Sequence, residues 1–194
     1  MNATILSNNE KHYPVLLKEI LSIISPQNGG TFIDCTFGQG GYSQSILNFS
    51  KTKVIALDRD IDCKRVAENL ERKNKKRFTF YNKKFGDIDQ INYEDLKVKG
   101  IIFDLGYSYT QIKDPKKGLS FENSGLLNMR MGINEFTASD VVNKLEQKDL
   151  ELIFKFFGDE EKSKIISKKI VLERSRGLID TQKLVKIINS SKKK

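Results

Sequence analysis

Two stretches of this chain combine residue types at spacings that can do chemistry. One is Asp104-Leu-Gly-Tyr-Ser-Tyr-Thr-Gln111, which sets an acid three residues ahead of an aromatic. The exocyclic amine of a base such as cytosine is a poor nucleophile, because its lone pair is delocalised into the ring. A site that alkylates it must accept the amine hydrogens, hold the nitrogen in line with an electrophile and clamp the ring by stacking. Asp104 supplies the acceptor and Tyr107 the stacking face, which makes them the candidate catalytic pair. The plainer reading is that Asp104 caps a turn and Tyr107 packs.

The other stretch is Thr31-Phe-Ile-Asp-Cys-Thr-Phe-Gly-Gln-Gly-Gly-Tyr-Ser43, an apolar, β-branched and aromatic run entering a glycine turn. A side chain at Gly38, Gly40 or Gly41 would block either the tight turn or the close approach of a ligand to the backbone. Asp58 closes a second apolar run, Lys53-Val-Ile-Ala-Leu57, twenty residues after Gly38. An acid at that distance meets the ribose hydroxyls of an adenosine lying across the strand ends. Asp58 also reads as an ordinary helix N-cap, a role that Asp60 or Asp62 can fill instead.

The elements that must position these residues alternate in type. Strands are expected in the first half of the Thr31–Ser43 stretch, with Cys35 inside it, and at Lys53–Leu57, Phe78–Tyr81 and Gly100–Phe103, with helices from Tyr42 to Phe49 and from about 61 to 73. That alternation gives a parallel α/β sheet with strands one and four flanking a ligand crevice. Upstream, residues 12–25 carry apolar positions at 16, 17, 20, 21, 23 and 24, an amphipathic helix. His12, the only histidine, is either structural or near a cofactor. Phe85, after strand three, suits an apolar wall for an adenine ring or a place in the core.

From Lys113 the character changes to a basic turn, a mixed loop and then four helical patterns: Ala138–Leu145, Asp149–Phe157, Glu160–Arg174 and Thr181–Asn189, the last with Asp180 or Thr181 as N-cap. Lys162, Lys164, Lys168, Lys169, Arg174 and Arg176 read as a basic face, either solvated or in contact with RNA. The net charge of +9 would attract a polyanion, although abundant Lys, Asn and Ile with no Trp also fit a coding bias. No apolar run approaches the ~20 residues of a membrane span and no secretion signal opens the chain, so a cytoplasmic address is expected. Cys35 and Cys63 lack zinc-ligand spacing and read as reduced packing or surface residues, and no metal is assigned.

Taken together, the residues resemble the MraW family, the bacterial small-subunit ribosomal RNA cytosine-N4 methyltransferases. The matching pieces run in family order: His12-Tyr-Pro-Val-Leu-Leu17, Asp34-Cys-Thr-Phe-Gly-Gln-Gly-Gly41, Ala56-Leu-Asp-Arg-Asp60, Phe103-Asp-Leu-Gly106, Gln111, Gly118-Leu-Ser-Phe121, Met129-Arg-Met131, Phe157-Gly-Asp-Glu-Glu161 and Ile165 to Arg174. The resemblance implies a Rossmann-like methyltransferase sheet, S-adenosylmethionine as methyl donor, and a decoding-region cytosine of 16S rRNA in the small ribosomal subunit as substrate. Carried over by position, the cofactor contacts are Gly40, Gly41, Tyr42, Asp58, Phe85, Asp104 and Gln111. Residues 1–112 then form the cofactor-binding part, and 113–194 a mainly helical insertion that helps hold RNA. Whether the enzyme is a homodimer is left open.

The chain departs from the family's pattern in places. Tyr42 stands where histidine is usual, Tyr107 and Tyr109 where Val and Ser are usual, and Asn128 where an acid usually precedes Met129. Family members also continue with a C-terminal part that returns to the sheet. Strands in the order 3-2-1-4 without it leave strand four as an open apolar edge, so the chain reads as truncated, with methyl transfer by it alone in doubt. Two competing readings are a non-catalytic cofactor- or RNA-binding module and a nicotinamide-dependent oxidoreductase. The latter is disfavoured by the missing G-x-G-x-x-G spacing.

Overall fold

Alternation along the strands decides how the sheet is covered. In the computed structural model, which describes residues 13–91, 97–107, 109–122, 124–125 and 127–192 (side chains of 109 and 110 excepted), four parallel strands lie in the order β3-β2-β1-β4. They are β1 Gly30–Asp34, β2 Thr52–Leu57, β3 Phe78–Tyr81 and β4 Val98–Ile102. Ile33 of β1 sits between Ile55 of β2 and Ile101 of β4. His12 lies outside the described residues.

With a period of two, β1 and β2 send alternate side chains to opposite faces. Phe32, Val54 and Ala56 join Ile102 on one face, under Leu17 of helix α1 (Leu17–Ile24), Ile46 and Leu47 of α2 (Gly41–Leu47), and Ala67 and Leu70 of α3 (Lys64–Lys73). Ile33, Cys35, Ile55 and Leu57 form a smaller cluster on the other face with Ile91. Being apolar toward both faces is what the central strand of a parallel sheet requires. β4 is an edge strand, and Ile101 and the following Phe103 are exposed.

The chain divides into two compact units, Met1–Gly106 and Tyr107–Lys194, a division that falls before the 112/113 division read from the sequence. In the second unit are helices α4 Tyr109–Lys113, α5 Ala138–Lys144, α6 Gln147–Gly158, α7 Ser163–Arg174 and α8 Thr181–Lys192. α4 begins inside the Asp104–Gln111 stretch, for which no helix was expected. Ile166 and Ile170 of α7 are buried with Val142 of α5, Leu150 of α6 and Ile187 of α8. Thr137 and Asp140 form a capping box that starts α5. The Asp180 side chain accepts the Lys183 N–H at 2.8 Å, so Asp180 rather than Thr181 caps α8. Among the described residues no helix is long and apolar enough to cross a membrane.

Candidate functional site

Three segments meet at the carboxyl ends of neighbouring strands: the glycine turn after β1, Asp58 after β2 and Asp104 after β4. The turn is fixed by its own backbone, since Gly40 has φ +76° and a Cβ there would lie 2.9 Å from the Phe37 ring. Gly41 opens α2 for a different reason. A Cβ at Gly41 would overlap Pro14 Cγ and lie 3.0 Å from Pro14 Cδ, so the close approach at this glycine is made by the segment entering α1.

Asp58 is held from both sides. The Gly38 N–H donates to its Oδ2 at 2.7 Å and the Asp60 N–H to its Oδ1 at 2.8 Å. Asp60 takes the cap role, its side chain accepting the Asp62 N–H that starts the 3₁₀ turn Ile61–Cys63. The Cys63 thiol also lies within hydrogen-bonding reach of this carboxylate, which is only half-buried and keeps acceptor capacity on its open side. A fixed carboxylate with remaining acceptor capacity at the end of β2 fits the two hydroxyls of a ribose.

Asp104 is fixed through its backbone, its N–H donating to Thr36 Oγ1 at 2.8 Å, and its Oδ2 lies 3.4 Å from the Tyr42 hydroxyl. Tyr42 is 5% exposed, and its hydroxyl donates to the Val15 carbonyl at 2.5 Å. Burial, followed by the charge of Asp104, pushes the phenol up to about 12, so it keeps its hydrogen at neutral pH. Phe85 is 42% exposed and meets Phe103 edge-on with ring centroids 5.5 Å apart. It is no core aromatic, and an exposed apolar wall is present beside the strand ends.

Among the described site residues, hydrogen bonds or close approach join Gly38 to Asp58 and Tyr42 to Asp104, all in the first unit. Tyr107 and Gln111 belong to the second unit, where Tyr107 is exposed and Gln111 sits half-buried on α4. Sequence reasoning passed over Asp34. Its buried carboxylate accepts the Ser43 hydroxyl at 2.7 Å and the Thr36 N–H at 3.2 Å, which ties β1 to α2 and to the turn. Burial pushes its carboxyl up to about 6, against the lowering effect of those two bonds. The available signal was a charged residue ending an otherwise apolar strand. Both cysteines are buried, not surface residues, and burial raises both thiols, Cys35 to about 11.

A model of the MraW methylase family matches residues 9–194. The chain belongs to the MraW methylase family. Proteins named ribosomal RNA small subunit methyltransferase H are similar to it. The one from Rickettsia bellii is 40% identical over 182 residues, covering 93% of this chain and 59% of the relative. Those from Ehrlichia ruminantium (40% over 184 residues, 92% and 61%) and Zymomonas mobilis (39% over 182 residues, 93% and 54%) agree. The chain thus spans well under two thirds of the length of these relatives.

In this MraW-family chain most of the basic residues expected to form one face are engaged within the second unit. Arg174 donates to the Leu145 carbonyl at 2.6 Å and the Val142 carbonyl at 3.4 Å, closing the end of α5. Arg176 pairs with Glu173 at 3.0 Å, Lys169 reaches Ser190 Oγ at 3.1 Å, and Lys162 reaches the Lys192 carbonyl at 3.4 Å. Lys164 and Lys168, one turn apart on α7, stay exposed.

Proposed function

We propose that residues 1–194 carry the S-adenosylmethionine site of an enzyme that methylates the N4 amino group of a cytosine in the decoding region of 16S rRNA. The observation that supports this most is Asp58, held by the Gly38 and Asp60 amides at the strand ends with acceptor capacity to spare, in a chain of the MraW family. Asp58 would take the ribose hydroxyls, Phe85 the adenine face, and the Gly38–Tyr42 backbone, Asp104 and Gln111 the remaining contacts. When bound, the cofactor supplies an electrophilic methyl group on a sulfonium. Asp104 would accept the amine hydrogens and Tyr107 would stack on the base. The second unit would hold RNA through Lys164 and Lys168, and the substrate places the work in the cytoplasm.

A second reading is cofactor binding without methyl transfer by these residues alone. It is favoured by the exposed Ile101 on the edge strand β4 and the exposed Phe103 that follows it. Calorimetric titration of the folded chain with S-adenosylmethionine and with a nicotinamide dinucleotide, followed by a methylation assay on small ribosomal subunits, tests both. Saturable binding of the first ligand alone supports the cofactor site, and product in the assay decides between the readings. Preference for the dinucleotide would overturn both.

A further inference from the structure

We infer that the Tyr42 hydroxyl is a positioning group for Asp104, an inference that rests on the cofactor reading given above. The Tyr42 ring lies in the core cluster with Leu17, Phe32 and Ile46, so its face is committed to packing. Only the hydroxyl reaches polar groups, and it reaches two acceptors: the Val15 carbonyl at 2.5 Å and Asp104 Oδ2 at 3.4 Å. A phenol has one hydrogen. It sits on Val15 in the short bond and can swing to Asp104, whose backbone N–H is already anchored on Thr36 Oγ1. Asp104 Oδ1 has no hydrogen-bond partner among the described residues.

The consequence is a carboxylate with one oxygen turned toward a buried hydroxyl and the other open to an incoming N–H. Tyr42 thereby separates into two roles: its backbone, at the start of α2, belongs to the glycine turn, and its side chain links the Val15 segment to the acid after β4. A phenylalanine would fill the same core volume, leave the Val15 carbonyl without this donor and release Asp104 Oδ2.

The test is a double-substitution cycle on the full 194-residue chain, comparing the unsubstituted protein with Tyr42→Phe, Asp104→Ala and the pair. S-adenosylmethionine affinity is measured by calorimetry and folding is checked by circular dichroism. Tyr42→Phe is expected to raise the dissociation constant about three- to tenfold when Asp104 is present, the scale of one hydrogen bond. With Asp104→Ala in place the loss should be clearly smaller, the remainder belonging to the Val15 bond. An equal loss in both backgrounds would mean that the hydroxyl acts through its Val15 bond and not through Asp104, and would overturn the inference.

If the unsubstituted chain binds no S-adenosylmethionine, the cofactor reading fails and the same cycle in urea unfolding decides the link. A coupling of about threefold or more in the unfolding constant supports it, and additive effects overturn it.

Discussion

The Gly38 amide donates to Asp58 Oδ2 over 2.7 Å, across twenty residues of chain, so the acid closing β2 is oriented by the turn that follows β1. Asp58→Ala removes the acceptor of both the Gly38 and Asp60 amides as well as the proposed partner of the ribose hydroxyls. Hydrogen bonds to a charged group contribute about 1.5–3 kcal/mol, so the S-adenosylmethionine dissociation constant is expected to rise at least roughly tenfold. Titration of the folded variant measures it. Unchanged affinity would remove Asp58 from the site.

Tyr107 should behave in the opposite way. It is 58% exposed, so its ring is available to a base and is not needed for packing. Tyr107→Ala is expected to lower RNA-dependent turnover, or RNA affinity where no transfer is seen, by roughly 1–3 kcal/mol. S-adenosylmethionine affinity should stay as it was. Parallel losses in both measurements would reject the stacking role.

The sheet and the spacing of Asp58 from the glycine turn were legible because they follow from local pattern: Phe32-Ile33 and Val54-Ile55 are apolar toward both faces, and the turn and the acid stand at a readable distance, although the Gly38–Asp58 hydrogen bond itself was not read. What could not be read depends on contacts between distant residues. Nothing local says that Pro14 packs on Gly41 or that Tyr42 reaches Val15 and Asp104. The basic residues of α7 looked like one face because sequence shows charge but not partners, and Arg174 turns out to close α5. The single-turn helix α4 is too short for a periodic signal.

Asp34 gives a pH prediction whose sign follows from its raised carboxyl. Its folded-state value of about 6 lies above the ordinary 3.8, so the folded protein holds this proton more tightly than the unfolded chain does. The stability it contributes is complete below the lower value and is lost as pH rises through the upper one, a change of about 3 kcal/mol. Asp34→Asn removes the ionisation while keeping the shape. Urea unfolding of both proteins between about pH 4 and pH 7 should show the difference in stability shifting toward the Asn variant as pH rises. A difference independent of pH would show that the carboxyl is not raised.

The basic residues of α7 should separate into two groups. Arg174→Ala leaves the Val142 and Leu145 carbonyls without their donor and is expected to lower the unfolding midpoint of the second unit. Lys164→Ala with Lys168→Ala should leave that midpoint unchanged. The lysine pair should instead weaken RNA binding and reduce the salt dependence of its logarithm by up to roughly 0.7 per lost phosphate contact. Filter binding over a salt series against unstructured RNA measures the slope. An unchanged slope would remove both lysines from any RNA surface.

Gly41 tests whether the segment entering α1 belongs to the site. A methyl group there would overlap Pro14 Cγ, and a proline ring cannot swing aside as the tip of a flexible side chain can. Gly41→Ala must therefore push residues 13–16 off the start of α2, at a cost of about 1–3 kcal/mol typical of overpacking. Moving that segment also carries the Val15 carbonyl away from the Tyr42 hydroxyl, so cofactor affinity should fall together with stability. Pro14→Ala combined with Gly41→Ala relieves the overlap and should recover most of both losses. If Gly41→Ala lowers cofactor affinity and the Pro14 change does not restore it, the glycine is required by the ligand itself.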